Sequence, residues 1–114
     1  MQDAPRILLL EADAAIASHL VIRLEKAGAD VITADHALQA IQRLAQFTFS
    51  GAILDYWDGA DDRSKIAERL LQLRVPVVVH AHVEPPPSWC APHFADPDAI
   101  VAAVMRLVQA PRTP

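Results

Sequence analysis

The stretch Gly51-Ala52-Ile53-Leu54-Asp55 constrains this chain more than any other, because small and apolar residues run straight into a carboxylate. It is too short and too apolar for a surface helix and reads as a strand buried on both faces, as in parallel sheets. An acid closing such a strand sits at the carboxyl edge, where open α/β sheets carry their sites. Ile7-Leu8-Leu9-Leu10 followed by Glu11-Ala12-Asp13 repeats the design. Two such strands with a helical segment between them point to a paired-carboxylate site. The plainer alternative is that each acid starts a turn or caps the next helix.

The remaining chain supplies the partners that such strands need. Residues 6–10 form the first strand. Asp13 is placed to cap a helix over 14–27, with Ile16, Leu20 and Leu24 as its buried stripe and Gly28 as its stop. Residues 29–34 read as a more polar edge strand, and Asp35 as the cap of a helix to about 46 with Leu38, Ile41 and Ala45 inward. A third helix spans about 63–74, with Ile66, Leu70 and Leu73 on one face, and residues 75–80 form the fourth strand. Pro85-Pro86-Pro87 then forbids a regular helix, because proline lacks the amide donor and clashes with the preceding turn. A short fifth strand is expected at 89–91. Asp96-Pro97-Asp98 opens a last helix whose inward residues are Ile100, Val104, Leu107 and Val108. No internal repeat is visible. Strands alternating with helices imply a doubly wound α/β fold, with a five-stranded parallel sheet, right-handed crossovers and a proline-rich loop in place of a fourth helix.

Composition narrows the function. At 114 residues the chain is expected to be one domain, with a core over about 6–108 and a tail or linker at 109–114. Net charge is −4, with ten basic residues spread out rather than clustered, so nucleic acid is not an expected direct partner. A single cysteine leaves no internal disulfide and no cysteine-based zinc motif. The first residues lack a signal-peptide pattern and the apolar runs are only strand-length, so a cytoplasmic protein with no membrane partner is expected.

Taken in order, the stretches ILLLEAD, AILDYWDG, VPVVVHA and FADPDAI give a chain that resembles the receiver domain of two-component response regulators over about 6–108. The resemblance implies the flavodoxin-like strand order 2-1-3-4-5 and a phosphoryl acceptor at the end of the third strand, here Asp55. It implies a magnesium ion held by acids after the first strand and by a backbone carbonyl two residues past the acceptor. Those places fall to Glu11, Asp55 and the Trp57 carbonyl, with Asp13 as a weaker candidate because Ala12 stands where the usual second acid would be. Groups contacting the phosphoryl would come from His80, Ala81 and His93, with His80 in place of a hydroxyl residue, His93 in place of a lysine and Phe94 in place of the following proline. The implied partner is a histidine kinase or another signalling protein, with a homodimer as a further candidate.

Three functions stay open from the residues. The first is a receiver that accepts phosphate on Asp55, an aspartate being a competent covalent acceptor. The second is a pseudo-receiver that keeps the fold and acts through protein contacts alone. The third is a transition-metal site assembled from Glu11, Asp55, His80 and His93, with His82 close by in sequence. No catalytic spacing supports an enzyme.

Overall fold

The computed structural model describes residues 4–57, 59–60, 62–83, 85–90 and 92–109. Strands β1 (Arg6–Leu10), β2 (Asp30–Ala34), β3 (Gly51–Tyr56), β4 (Val77–Ala81) and β5 (His93–Phe94) pair in parallel, in the order β2-β1-β3-β4-β5. The doubly wound α/β sheet with strand order 2-1-3-4-5 is therefore the observed fold. Alternation along the strands explains why helices cover both faces. Ile7, Leu9, Ile53 and Val78 point to one side, where α1 (Ala14–Lys26) and α4 (Pro97–Gln109) bring Leu20, Leu24, Ile100 and Val104. Leu8, Leu10, Ala52 and Leu54 point to the other, against Ala40 of α2 (Ala37–Gln46) and Ile66 and Leu70 of α3 (Asp62–Gln72). Full burial of each leucine or isoleucine contributes about 1.5–3 kcal/mol, which makes the central strands the main source of stability. At Gly51 an added Cβ would lie 2.6 Å from Val108 Cγ1, so the glycine lets α4 settle closely on β3.

Helix α1 behaves as its sequence dictates. Asp13 Oδ1 accepts the Ala15 and Ile16 amides at 2.9 and 3.0 Å. Gly28 adopts φ 100° to end the helix. At the end of α3 the same left-handed position is held by Arg74, with φ 59°, and the Val75 amide donates to the Leu70 carbonyl at 2.9 Å. An arginine gives no stop signal, which is why the sequence extends this helix two residues too far.

Several expectations are corrected. The N-cap of α2 is His36, whose Nδ1 accepts the Gln39 amide at 3.1 Å, rather than Asp35. Its inward residues are Ala37, Ala40 and Leu44, while Leu38 and Ile41 are exposed. Leu73 and Leu107 are likewise exposed; Met105 is buried instead. The fifth strand is His93–Phe94, not 89–91. The Cys90 amide donates to the Pro87 carbonyl at 3.0 Å, curling Ser88–Cys90 into a 3-10 turn before the ladder can resume. Pairing then starts at Val79↔His93, with no regular helix described between β4 and β5. Of the expected tail at 109–114, Gln109 is the last residue of α4 and 110–114 lie outside the described residues. No helix among the described residues is long and apolar enough to cross a membrane.

Candidate functional site

Strand register builds the site. Leu10 pairs with Leu54, and Asp55 with His80, so Glu11, Asp55 and His80 stand side by side at the carboxyl edge of β1, β3 and β4. All three are buried. The Glu11 amide continues the β1–β2 ladder by donating to the Ala34 carbonyl at 3.0 Å, which fixes its backbone just beyond the strand.

Asp55 has both oxygens engaged. Oδ2 accepts the Ala12 amide at 2.7 Å and Oδ1 accepts Arg63 Nε at 2.7 Å. Arg63 and Asp55 side chains are 3% and 0% exposed, which makes this a buried ion pair rather than a surface contact. The guanidinium also donates through Nη1 to Asp62 at 2.9 Å, and its carbon lies 4.8 Å from the centre of the Trp57 ring. Burial, with the neighbouring Glu11 carboxyl adding to it, pushes the Asp55 carboxyl above its ordinary value, against the pull of Arg63 and the Ala12 amide.

Glu11 is neutralised differently. Its Oε1 lies 3.2 Å from His80 Nδ1, and its Oε2 accepts the Asp13 amide at 3.2 Å. His80 Nε2 lies 3.0 Å from the Ala95 carbonyl. A carbonyl only accepts, so Nε2 carries a proton and Nδ1 faces the carboxylate. Burial works to raise the Glu11 pKa, but the hydrogen bonds it receives from His80 and the Asp13 amide help hold it below its ordinary value. The Glu11 hydrogen bond raises the pKa of His80, with the Ala95 carbonyl adding to the rise against burial. His82, partly exposed, brings Nε2 within 4.0 Å of Glu11 Oε1, and its ring meets that of His80 edge-on at 4.3 Å.

Other expected residues lie at some remove. Ala81 is buried opposite Tyr56 and offers only a methyl group and backbone. His93 is exposed on the edge strand and does not join the cluster of Glu11, His80 and His82. Asp13 spends its carboxylate on capping α1, and the Trp57 carbonyl accepts the Ala60 amide at 3.0 Å. Trp89 stacks on Tyr56 at 5.3 Å and so folds inward. Arg63 was not foreseen as a site residue. One signal was available: a cation in the first turn of a helix faces the positive end of the macrodipole and needs nearby anions to hold it.

The donor set does not suit magnesium. A hard cation seeks free carboxylate oxygens, yet Asp55 is paired with a guanidinium, Asp13 is a cap and position 12 has no carboxylate.

No protein-family model and no curated protein sequence matches the chain. Solved structures do. The signal receiver domain of a signal transduction histidine kinase from Syntrophus aciditrophicus superposes with TM-score 0.79 at 22% identity, covering 97% of this chain and 96% of that one. The chain has the receiver-domain fold. A CheY-like response regulator receiver domain protein from Methanospirillum hungatei JF-1 gives TM-score 0.76 at 16% identity, covering 93% and 94%. A sensor protein from Polaromonas sp. JS666 gives 0.72 at 23%, covering 91% and 95%.

Proposed function

We propose that the chain is an atypical receiver module of two-component signalling that regulates partners by protein contact, with Asp55 held unreactive by Arg63. The observation that carries this reading is the buried Arg63–Asp55 ion pair, with the Ala12 amide on the second oxygen. A carboxylate attacks phosphorus through a lone pair, and transfer needs a cation that neutralises charge on the moving phosphoryl group. Here each oxygen already accepts a 2.7 Å hydrogen bond, one of them from a cation that is covalently part of the protein. On this reading magnesium binds weakly or not at all, the chain is not itself an enzyme, and its partner is a histidine kinase or another signalling protein. A homodimer is compatible with the same reading.

The competing reading, acceptance of phosphate on Asp55, rests on the acid's position at the end of β3 beside Glu11. Incubation with acetyl phosphate and magnesium, followed by intact-mass and peptide spectrometry, separates the two. Wild type is expected to stay unmodified. An acyl phosphate that forms on wild type and disappears in Asp55→Asn restores the ordinary receiver switch.

A further inference from the structure

We propose that Glu11, His80 and His82 form a binding site for a divalent transition-metal ion of the zinc class, separate from the Asp55–Arg63 pair. The ligand atoms already converge: one atom from each residue lies within 4.8 Å of the others. Glu11 Oε1 is 3.2 Å from His80 Nδ1 and 4.0 Å from His82 Nε2. Ligand atoms around tetrahedral zinc, with bonds of about 2.0–2.2 Å, stand about 3.3–3.6 Å apart. Closing the set therefore asks for a movement of roughly 1 Å, supplied by His82. That side chain is 35% exposed, and its backbone is anchored by the His82 amide donating to the Tyr56 carbonyl at 2.8 Å.

The surroundings are those of a metal site. His80 Nε2 donates to the Ala95 carbonyl, which fixes the ring and leaves the Nδ1 lone pair aimed at the cluster. The second Glu11 oxygen is held by the Asp13 amide, so the first is presented in one orientation. Nδ1 and Oε1 face each other in a buried place, so the pair is suited to sharing a cation, and a metal ion takes the position that a proton on Nδ1 otherwise fills. Two imidazoles and one carboxylate select a borderline transition metal over magnesium or calcium, which require an all-oxygen set. Asp55 does not compete for the ion because Arg63 occupies it. A shallow depression lined by Glu11, Ala12, Asp55, Trp57 and His82 leaves a fourth position open to water.

The inference goes beyond the signalling reading and stands or falls separately from it. Chelator-stripped protein is titrated with cobalt(II), followed by its visible ligand-field bands, and then with zinc by calorimetry. Wild type should bind a single equivalent with tetrahedral-type cobalt bands that zinc abolishes and excess magnesium leaves unchanged. His82→Ala should weaken binding by more than the roughly 10–100-fold that loss of an outer-shell partner typically costs. His82→Gln should do the same, and circular dichroism checks that both variants are folded. His19→Ala, at an exposed histidine elsewhere, should bind as wild type does. Absence of saturable binding, equal affinity in wild type and folded His82 variants, or equal loss in His19→Ala each overturns the assignment.

Discussion

Glu11 and Asp55 are buried carboxylates on neighbouring strands, yet their counter-charges differ in kind. Asp55 faces Arg63, a cation that keeps its proton throughout the accessible pH range. Glu11 faces His80, an imidazole able to take up or release a proton, and His82, which reaches toward solvent. The first pair is sealed, with a guanidinium 3% exposed and sheltered by the Trp57 ring. The second is adjustable, because its cation can be a proton or a metal ion. Two carboxylates at one sheet edge are thus given a permanent partner and an exchangeable one.

The largest expected effect comes from breaking the sealed pair. Arg63→Ala strands the Asp55 carboxylate and should lower unfolding stability by about 3–5 kcal/mol in urea denaturation. The double variant Arg63→Ala, Asp55→Asn should recover a good part of that loss. Equal stability for wild type and Arg63→Ala contradicts a buried ion pair. His80→Gln keeps a neutral hydrogen-bonding group at the adjustable pair and should cost less, about 1–3 kcal/mol.

Titration sharpens the contrast further. The folded-state pKa of His80 is raised above its ordinary 6.5, so its stabilisation is fully present below that value and is lost as pH rises through the higher folded one. With chelator present, the stability gap between wild type and His80→Gln should therefore narrow as pH rises above 6.5 and through the higher folded value, whereas the Arg63→Ala gap should hold. A gap that widens with pH contradicts the assigned pairing. The smallest effect belongs to Trp57→Ala, which removes a partly exposed ring from the Arg63 guanidinium and should cost about 0.5–1 kcal/mol.

Much of this was legible in the sequence for physical reasons. Strand-length apolar runs, the Asp13 cap and the glycine stop at Gly28 are local signals, and the structure reproduces each. Strand-end acids marked the edge where Glu11 and Asp55 meet. What failed was phase and partnership. In α2 the sets Leu38, Ile41, Ala45 and Ala37, Ala40, Leu44 have the same spacing, one residue apart. Periodicity gives the pitch of a helix but not which set faces the sheet, and the smaller side chains won because they allow close approach. The short β5 carries almost no pattern, and the turn at Ser88–Cys90 displaced it. Arg63 was overlooked because its only signal, a cation in the first turn of a helix, is weak, and a basic residue in a polar stretch reads as solvated until the fold sets an acid beside it.

The 3-10 turn after the prolines carries the sole cysteine, Cys90, fully buried among Tyr56, Val79 and Ala81, with Trp89 over Tyr56. Burial pushes its thiol pKa up, so in the closed state it is both shielded and poorly ionised. Reaction with a small thiol reagent then requires the segment to lift from the sheet, and its rate reports the frequency of that opening. The chain thus contains a native clock for the region between β4 and β5, readable without any added label.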